Sequence, residues 1–350
     1  MNIKSFLFKR RKLEKRRPLA ISRCRITGSE NLFLRLDDGD GHSGLGELAA
    51  ANMSDGETAA AGEKQLSSFL GRNLEPLSIY ELMREACDSG VPPRARACLD
   101  MALWDLFAQQ CEQPLHRVFG LARTGSPTSV TVGIESPEQT YERVTEILQT
   151  NSPGSVKIKL GNPAGIEADR HAYLAAKQAA DQHQVPLRAD ANGGWSLKEA
   201  TVMCQWLAEQ GCDYIEQPLP PSSDQQLAEL HERSPIPVFI DESCHLAADI
   251  PPLAEKVDGI NVKLMKCGGL TEAMRLVAVA RAHGLKLMLG CMGESSVAIS
   301  AAVSISSLFD YIDLDSHLNL RNDPADGAAL VSGTLVPPHR PGHGAVITNA

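Results

Sequence analysis

No two of the nine cysteines stand at C-x-x-C spacing, and their number is odd. A disulfide framework is therefore not indicated, and reduced thiols of a cytoplasmic chain are the simpler expectation. A basic excess is also missing. The formal net charge is −9, which argues against broad nucleic-acid binding. No apolar run approaches the length of a membrane span. The basic cluster Lys9, Arg10, Arg11, Lys12, Lys15, Arg16 and Arg17 is followed only by Pro18, Leu19, Ala20 and Ile21 before Ser22 and Arg23. That stretch is too short for the apolar core of a secretion signal, so the cluster reads as a solvated basic edge. What remains is a chain with 43% hydrophobic and 22% charged residues, enough for a substantial core. Its 350 residues suit one large barrel and a smaller partner domain.

Two patterns divide the chain. In the first third, NLFLRL and GLGELA flank the turn-rich DDGDGHS and read as a hairpin over residues 31–49. Helices are expected over 56–70, 77–87 and 93–112, the last with an apolar stripe in which Trp104 is a core residue. After Pro127, short apolar strands alternate with amphipathic helices. Strands are expected over 129–134, 155–160, 186–192, 213–218, 237–243, 259–264, 285–290 and 311–315. Eight strands separated by helices predict a closed parallel barrel. The expected division is an α+β capping domain over 1–125, a barrel over 126–325, and a Pro- and Gly-rich segment over 326–350 that returns to the first domain.

The chemistry falls at strand ends. Lys159, Asp190, Glu216, Asp241 and Lys263 close five consecutive barrel strands, each about one strand-plus-helix unit from the next. Active sites of such barrels lie at the C-terminal ends of the strands, so these five side chains are expected at one mouth. Any one of the acids alone would be better explained as a helix cap or a lysine partner. Three on consecutive strand ends supply hard oxygen ligands that suit Mg2+, whereas zinc would recruit His or Cys. Lys157 and Lys159 share a face of one strand. Lys157 is expected to disfavour the charged form of Lys159 and so make it a better base. Lys263 approaches from across the barrel. Two lysines on opposite sides of a bound metal suit proton transfer on opposite faces of one carbon, beside a carboxylate whose developing charge the metal stabilises.

The motifs KIKL, RADANGGW, YIEQPL, FIDESCH, INVKLMKCGG and GCMGESS occur in this order. They resemble the muconate-lactonizing branch of the enolase superfamily, and ALWDLFAQQCEQPLHRVFG resembles its junction between capping domain and barrel. The resemblance covers nearly the whole chain and implies an enolase-like α/β fold, a modified TIM barrel (β/α)7β with an N-terminal α+β capping domain. It implies Lys159 and Lys263 as the acid/base pair and Mg2+ on Asp190, Glu216 and Asp241. Further substrate contacts are implied from Thr131, Lys157, Cys291 and Gly293. Asp313 and Asp315, two acids on one face of the last strand, resemble the pair with which dipeptide epimerases hold a substrate ammonium. Arg23, with Cys24 and Arg25 beside it, resembles an arginine that would take a distal carboxylate.

The implied activity is Mg-dependent 1,1-proton transfer on a dipeptide, L-Ala-D/L-Glu, an isomerase reaction on a cell-wall fragment. The partner is then a small dipeptide, and association with further copies of the chain is left open. Two alternatives compete. An o-succinylbenzoate synthase or cycloisomerase of the same branch needs the metal and lysines but no ammonium site. A non-catalytic ligand-binding barrel needs none of them. Glu294 has no assigned role, and His245 and His317 read as satisfied polar residues.

Overall fold

The computed structural model describes residues 1–50, 56–72 and 77–348. It opens with β1 (Ser5–Ile21), β2 (Cys24–Asp37) and β3 (Ser43–Leu48), an antiparallel sheet in the order β1-β2-β3. The basic cluster is thus a strand, which its composition did not suggest. Most of its charges still face water, since Lys9, Arg10, Lys12, Arg16 and Arg17 are exposed on this edge strand, but Lys15 turns inward and is buried, contrary to a wholly solvated edge. Exposed lysine and arginine blunt an edge that would otherwise recruit another strand. The β1–β2 register slips between Glu14 and Leu19, and the hairpin closes at Ser22 and Arg23.

Three helices, α1 (Ala59–Leu70), α2 (Ile79–Asp88) and α3 (Pro93–Gln110), cover the inner face of this sheet. Leu32, Leu34, Leu36 and Leu48 lie at or below 1% exposure there. Each such side chain contributes roughly 2 kcal/mol of transfer free energy. The close approach of α3 needs glycine, because a Cβ on Gly46 would sit 1.9 Å from the Cys98 carbonyl. Trp104 is core, with its indole Nε1 donating to Thr271 Oγ1 at 2.9 Å.

After the short α4 (Leu115–Val118) the chain enters eight parallel strands. These are β4 (Ser129–Val132), β5 (Ser155–Lys159), β6 (Leu187–Asp190), β7 (Ile215–Glu216), β8 (Val238–Ile240), β9 (Gly259–Lys263), β10 (Lys286–Gly290) and β11 (Tyr311–Asp313). They pair in sequence order. The Thr128–Ile312 bridge and the Ser129 Oγ bond to the Ile312 carbonyl at 3.3 Å draw the first strand to the last. Helices α5 (Pro137–Thr150), α6 (Ile166–Asp181), α7 (Leu197–Glu209), α8 (Leu227–Arg233), α9 (Leu264–Cys267), α10 (Leu270–Ala282) and α11 (Ser296–Val303) line the outside, while a single 3-10 turn, Ala247–Asp249, stands between β8 and β9. Ser136 and Ser196 open α5 and α7 with capping boxes, which set where each crossover starts.

Strand alternation sorts the barrel. Val156, Ile158, Ala189, Ile215, Val238, Ile240, Ile260, Val262, Leu287 and Leu289 point at the helices and are buried. Inside, Tyr214, Phe239, Met288 and Tyr311 plug the lower end, with Arg188 stacked on both tyrosines. All charge of the upper layer is thereby placed at the C-terminal mouth. The last segment packs back on the first sheet, where buried His343 meets the Leu45 carbonyl through Nε2 at 2.8 Å. Residues 349 and 350 lie outside the described residues. Among the described residues no helix is long and apolar enough to cross a membrane.

Candidate active site

Register places the expected residues at one level. Lys159 pairs with Asp190 and Asp190 with Glu216, while Gly290 pairs with both Lys263 and Asp313. Asp241 follows β8 directly and joins them. Strands β5 and β9 are four apart in a ring of eight, so Lys159 and Lys263 approach from opposite walls. Gly290 has to be small here, since a Cβ would lie 2.5 Å from Asn261 Oδ1. Asn261 Nδ2 in turn donates to Glu216 Oε1 at 2.7 Å.

The three acids are all buried, and each is engaged by an ammonium group. Lys159 bonds Asp190 Oδ2, Lys157 bonds Glu216 Oε2 at 3.1 Å, and Lys263 bonds Asp241 Oδ2 at 2.5 Å. Burial, followed by the charge of Asp190, raises the Glu216 carboxyl above its usual range. Burial also works to raise Asp241, but the ammonium groups of Lys263 and Lys266 overcome it and hold the carboxyl well below that range. No group of three His, Cys, Asp or Glu side chains among the described residues is already gathered as a cation cage. The donor chemistry nonetheless fits a hard divalent cation: three buried carboxylates on adjacent strand ends, with no His or Cys among them.

Lys157 behaves differently from the expectation. Burial would lower its pKa, but Asp313, Glu216 and Asp190 surround the ammonium and hold it well above the usual lysine value. Its charge is spent on three carboxylates instead of being directed at Lys159. Asp313 is correspondingly occupied, bonded by Lys157 and by Ser129 Oγ at 2.5 Å. Asp315 keeps more capacity. Its Oδ2 accepts the Thr131 amide at 2.6 Å, and burial followed by the Asp313 charge raises its carboxyl. Two acids thus meet Lys157, Ser129 and Thr131 at one end of the mouth.

Two cavities meet between the opposed lysines, since Lys159, Lys263, Cys291 and Met292 line both. The smaller, of about 80 Å3, holds Thr131, Asp313 and Asp315. The larger, of about 450 Å3, runs under the β1–β2 hairpin past Ile21, Ile26, Met265 and Leu320. Arg23 and Gly293 border it. Arg23 is already paired, its Nη2 lying 2.6 Å from Glu242 Oε1 and its Nη1 donating to the Asn192 carbonyl at 3.0 Å. The Gly293 carbonyl is taken by Asn31 Nδ2 at 2.9 Å, and a Cβ on Gly293 would meet nothing nearer than 3.5 Å. Glycine is therefore not forced there by space. The Cys291 thiol donates to the Asp313 carbonyl at 3.2 Å.

Sequence reasoning passed over several residues that build the site. Lys266 Nζ, buried on α9, reaches Asp241 Oδ1 at 2.6 Å and the carbonyls of Asp241, Cys244 and Asn261. Its position three residues after Lys263, in the short helix that follows the strand end, was the available signal. Gln217 Oε1 accepts the Asp241 amide at 2.8 Å and fixes the backbone of that acid. Glu47, on the first sheet, accepts from Ser295 and Ala298 at the start of α11, as a carboxylate at a helix N-terminus should. Glu294 is buried in the segment after β10, where it accepts the Met292 amide; burial pushes its carboxyl up to about 7. His245 Nε2 meets the Glu242 carbonyl at 3.1 Å, whereas buried His317 has no partner for Nδ1.

Two family descriptions match the chain. "Enolase C-terminal domain-like" covers residues 109–350, and "Mandelate racemase / muconate lactonizing enzyme, N-terminal domain" covers residues 4–120. The chain is 51% identical over 338 residues to the hydrophobic dipeptide epimerase of Roseobacter litoralis, spanning 97% of both chains. It is 47% identical over 342 residues to the hydrophobic dipeptide epimerase of a Flavobacteria bacterium, spanning 98% of both. Among solved structures it resembles a dipeptide epimerase from Enterococcus faecalis complexed with Mg and L-Leu-L-Tyr, with a TM-score of 0.91, 28% identity and 99% coverage of both chains.

Proposed function

The chain belongs to the mandelate racemase/muconate lactonizing enzyme family of enolase-like proteins, and from that membership we propose that it is a Mg-dependent dipeptide epimerase. The observation that carries the reading is the placement of Lys159 and Lys263 on opposite walls of the barrel, both lining the junction of two cavities. A carbon held at that junction has an amine on each face. Neutral Lys159 would take the α-proton from one face while the Lys263 ammonium returns one to the other, and the roles reverse for the opposite epimer.

Asp190, Glu216 and Asp241 would hold the cation, which when bound supplies electrophilic stabilisation of the charge that develops beside the terminal carboxylate. Asp315, backed by Asp313, would take the substrate's ammonium group, and Lys157 keeps those two acids from repelling each other. The ammonium end sits in the small cavity, so the first residue is small. The C-terminal side chain enters the larger one.

An apolar C-terminal side chain fits best. The larger cavity is walled by Ile21, Ile26, Met265, Met292 and Leu320, and its arginine already has a carboxylate partner. Two relatives near half identity are hydrophobic dipeptide epimerases. L-Ala-D/L-Glu is the second reading, supported by the 43% exposure of the Arg23 side chain beside the cavity. Incubating the enzyme with Mg2+ and a dipeptide panel in heavy water, and following α-deuterium by mass spectrometry, tests both. Exchange at the C-terminal residue of L-Ala-L-Leu or L-Ala-L-Phe is expected to exceed that of L-Ala-L-Glu. Absence of exchange in every dipeptide would remove the epimerase reading.

A further inference from the structure

Where the β1–β2 hairpin touches the barrel, it places a charge pair in the wall of the larger cavity. Arg23 stands at the hairpin tip and Glu242 follows the proposed ligand Asp241. Glu242 Oε1 accepts from Arg23 at 2.6 Å and from Asn192 Nδ2 at 3.3 Å. Its Oε2 is buried and has no hydrogen-bond partner. The hairpin is held at the same point by Ser22 Oγ, which donates to the Asn192 carbonyl at 3.0 Å, as Arg23 Nη1 also does. Asn192 itself has φ +43, a left-handed conformation that asparagine tolerates, and this turns its carbonyl toward the hairpin.

Of the other charges lining this cavity, Asp241 is held by Lys263 and Lys266 and Lys159 by Asp190, while Lys15 lies where the two cavities join and its charge acts on Asp315. At the hairpin end the wall is therefore formed by one positive and one negative group whose charges cancel at contact distance. A substrate carboxylate approaching Arg23 has to compete with Glu242, and a substrate ammonium approaching Glu242 has to compete with Arg23. Such a wall rejects both signs, because each would leave one member of a partly buried pair uncompensated.

We propose that the Arg23–Glu242 pair is the charge filter of the C-terminal side-chain subsite, and that Glu242 is a latent site for cationic side chains which Arg23 masks. The inference rests on the dipeptide epimerase reading and adds the residue that sets its selectivity. With Arg23 removed, Oε1 and Oε2 of Glu242 both become available to a lysine or arginine side chain. With Glu242 neutralised, the guanidinium becomes available to a glutamate side chain, which it would bind through two parallel hydrogen bonds.

The test measures kcat and KM for L-Ala-L-Leu, L-Ala-L-Lys and L-Ala-L-Glu with wild type, Arg23→Met and Glu242→Gln. Each charged substrate is expressed as a ratio to L-Ala-L-Leu within the same enzyme, so general damage to folding or metal binding cancels. Arg23→Met is expected to raise the Lys/Leu ratio of kcat/KM at least tenfold, mainly through KM. Glu242→Gln is expected to raise the Glu/Leu ratio by a similar factor and leave the Lys/Leu ratio unraised. If both variants scale all three substrates equally, the pair only anchors the hairpin and the filter is refuted. If wild type processes L-Ala-L-Glu as well as L-Ala-L-Leu, no filter exists although the enzyme is an epimerase. If wild type processes none of the three, the epimerase reading itself falls, and the filter with it.

Discussion

Replacing Lys266 with Met should destabilise the protein by an amount the structure allows to be estimated. The ammonium group is buried, 2.6 Å from Asp241 Oδ1, and also bonds the carbonyls of Asp241, Cys244 and Asn261. Methionine matches the apolar stem, so little cavity opens. What is lost is one of the two cations on a buried carboxylate and a donor for three carbonyls. Breaking a buried pair by removing one partner costs about 3–5 kcal/mol. Because Lys263 still contacts Asp241 at 2.5 Å, the lower half of that range applies to the charge, and the unpartnered carbonyls return the total to ~4 kcal/mol. Unfolding entropy near the midpoint is ~2.1 cal/mol/K per residue, which for a chain of 350 residues amounts to ~0.7 kcal/mol/K. The expected fall in melting temperature is therefore ~5–6 °C. Differential scanning calorimetry of wild type and Lys266→Met at equal concentration reads it directly. A midpoint within ~1 °C of wild type would show that Lys266 is not a brace for Asp241, and that the buried contacts around it contribute little net free energy.

The remaining expectations follow from the same geometry. Burial pushes the Glu294 carboxyl from 4.5 up to about 7. Between those values the folded chain holds a proton that the unfolded chain has released, so this group's effect is to make stability fall as pH rises through the window, by on the order of 3 kcal/mol in all. Glu294→Gln should remove that slope, and denaturant titrations at pH 4, 6 and 8 that give parallel curves for both proteins would contradict it. Lys263→Ala should still exchange the α-proton of one epimer in heavy water while failing to interconvert the two; equal loss of exchange from both epimers would show that the lysines do not divide the faces. Asp315→Asn should depress turnover of every dipeptide, because each carries the ammonium, and unchanged turnover would shift the reading toward a lyase of the same family. Glu216→Gln should lose activity while keeping its circular dichroism spectrum and melting midpoint near those of wild type, and full activity of this variant in chelator would exclude the proposed metal site.

Much of this fold is legible because barrel strands bury both faces and the crossover helices one. Runs such as SVKIK and GINVK therefore stand out between amphipathic segments, and both were found within a residue of their observed ends. Strand ends were read less well where the ladder stops for a tertiary reason. The segment DYIEQP reduces to Ile215–Glu216, since Gln217 turns to φ +39 so that its side chain can bond Asp241, Leu219 and Ser243. Strand β1 was not legible as a strand at all. Its apolar content is thin, and what holds it is pairing with β2 across thirteen aligned residue pairs, a non-local interaction that local composition does not record.

The five charged strand ends were readable for the same reason as the barrel. Spacing by one strand and one helix puts each of them at the same rim, and no side-chain detail is needed to say so. Which charges meet is a different kind of information. Lys157 and Lys159 are two residues apart and share a face, yet one lies against Asp313, on a strand two places away that comes within reach only once the barrel has closed, and the other lies against Asp190 on the neighbouring strand. The pairing of Arg23 with Glu242 is further removed, because it needs both barrel closure and the docking of a hairpin from the other end of the chain. An arginine in that loop could be seen in the sequence, but not the carboxylate that already occupies it. The consequence for substrate choice is direct. A free arginine would suit an acidic dipeptide, whereas the same arginine held 2.6 Å from a carboxylate contributes little net charge to the cavity wall, which under the proposed function favours an apolar side chain against Ile21, Ile26 and Leu320.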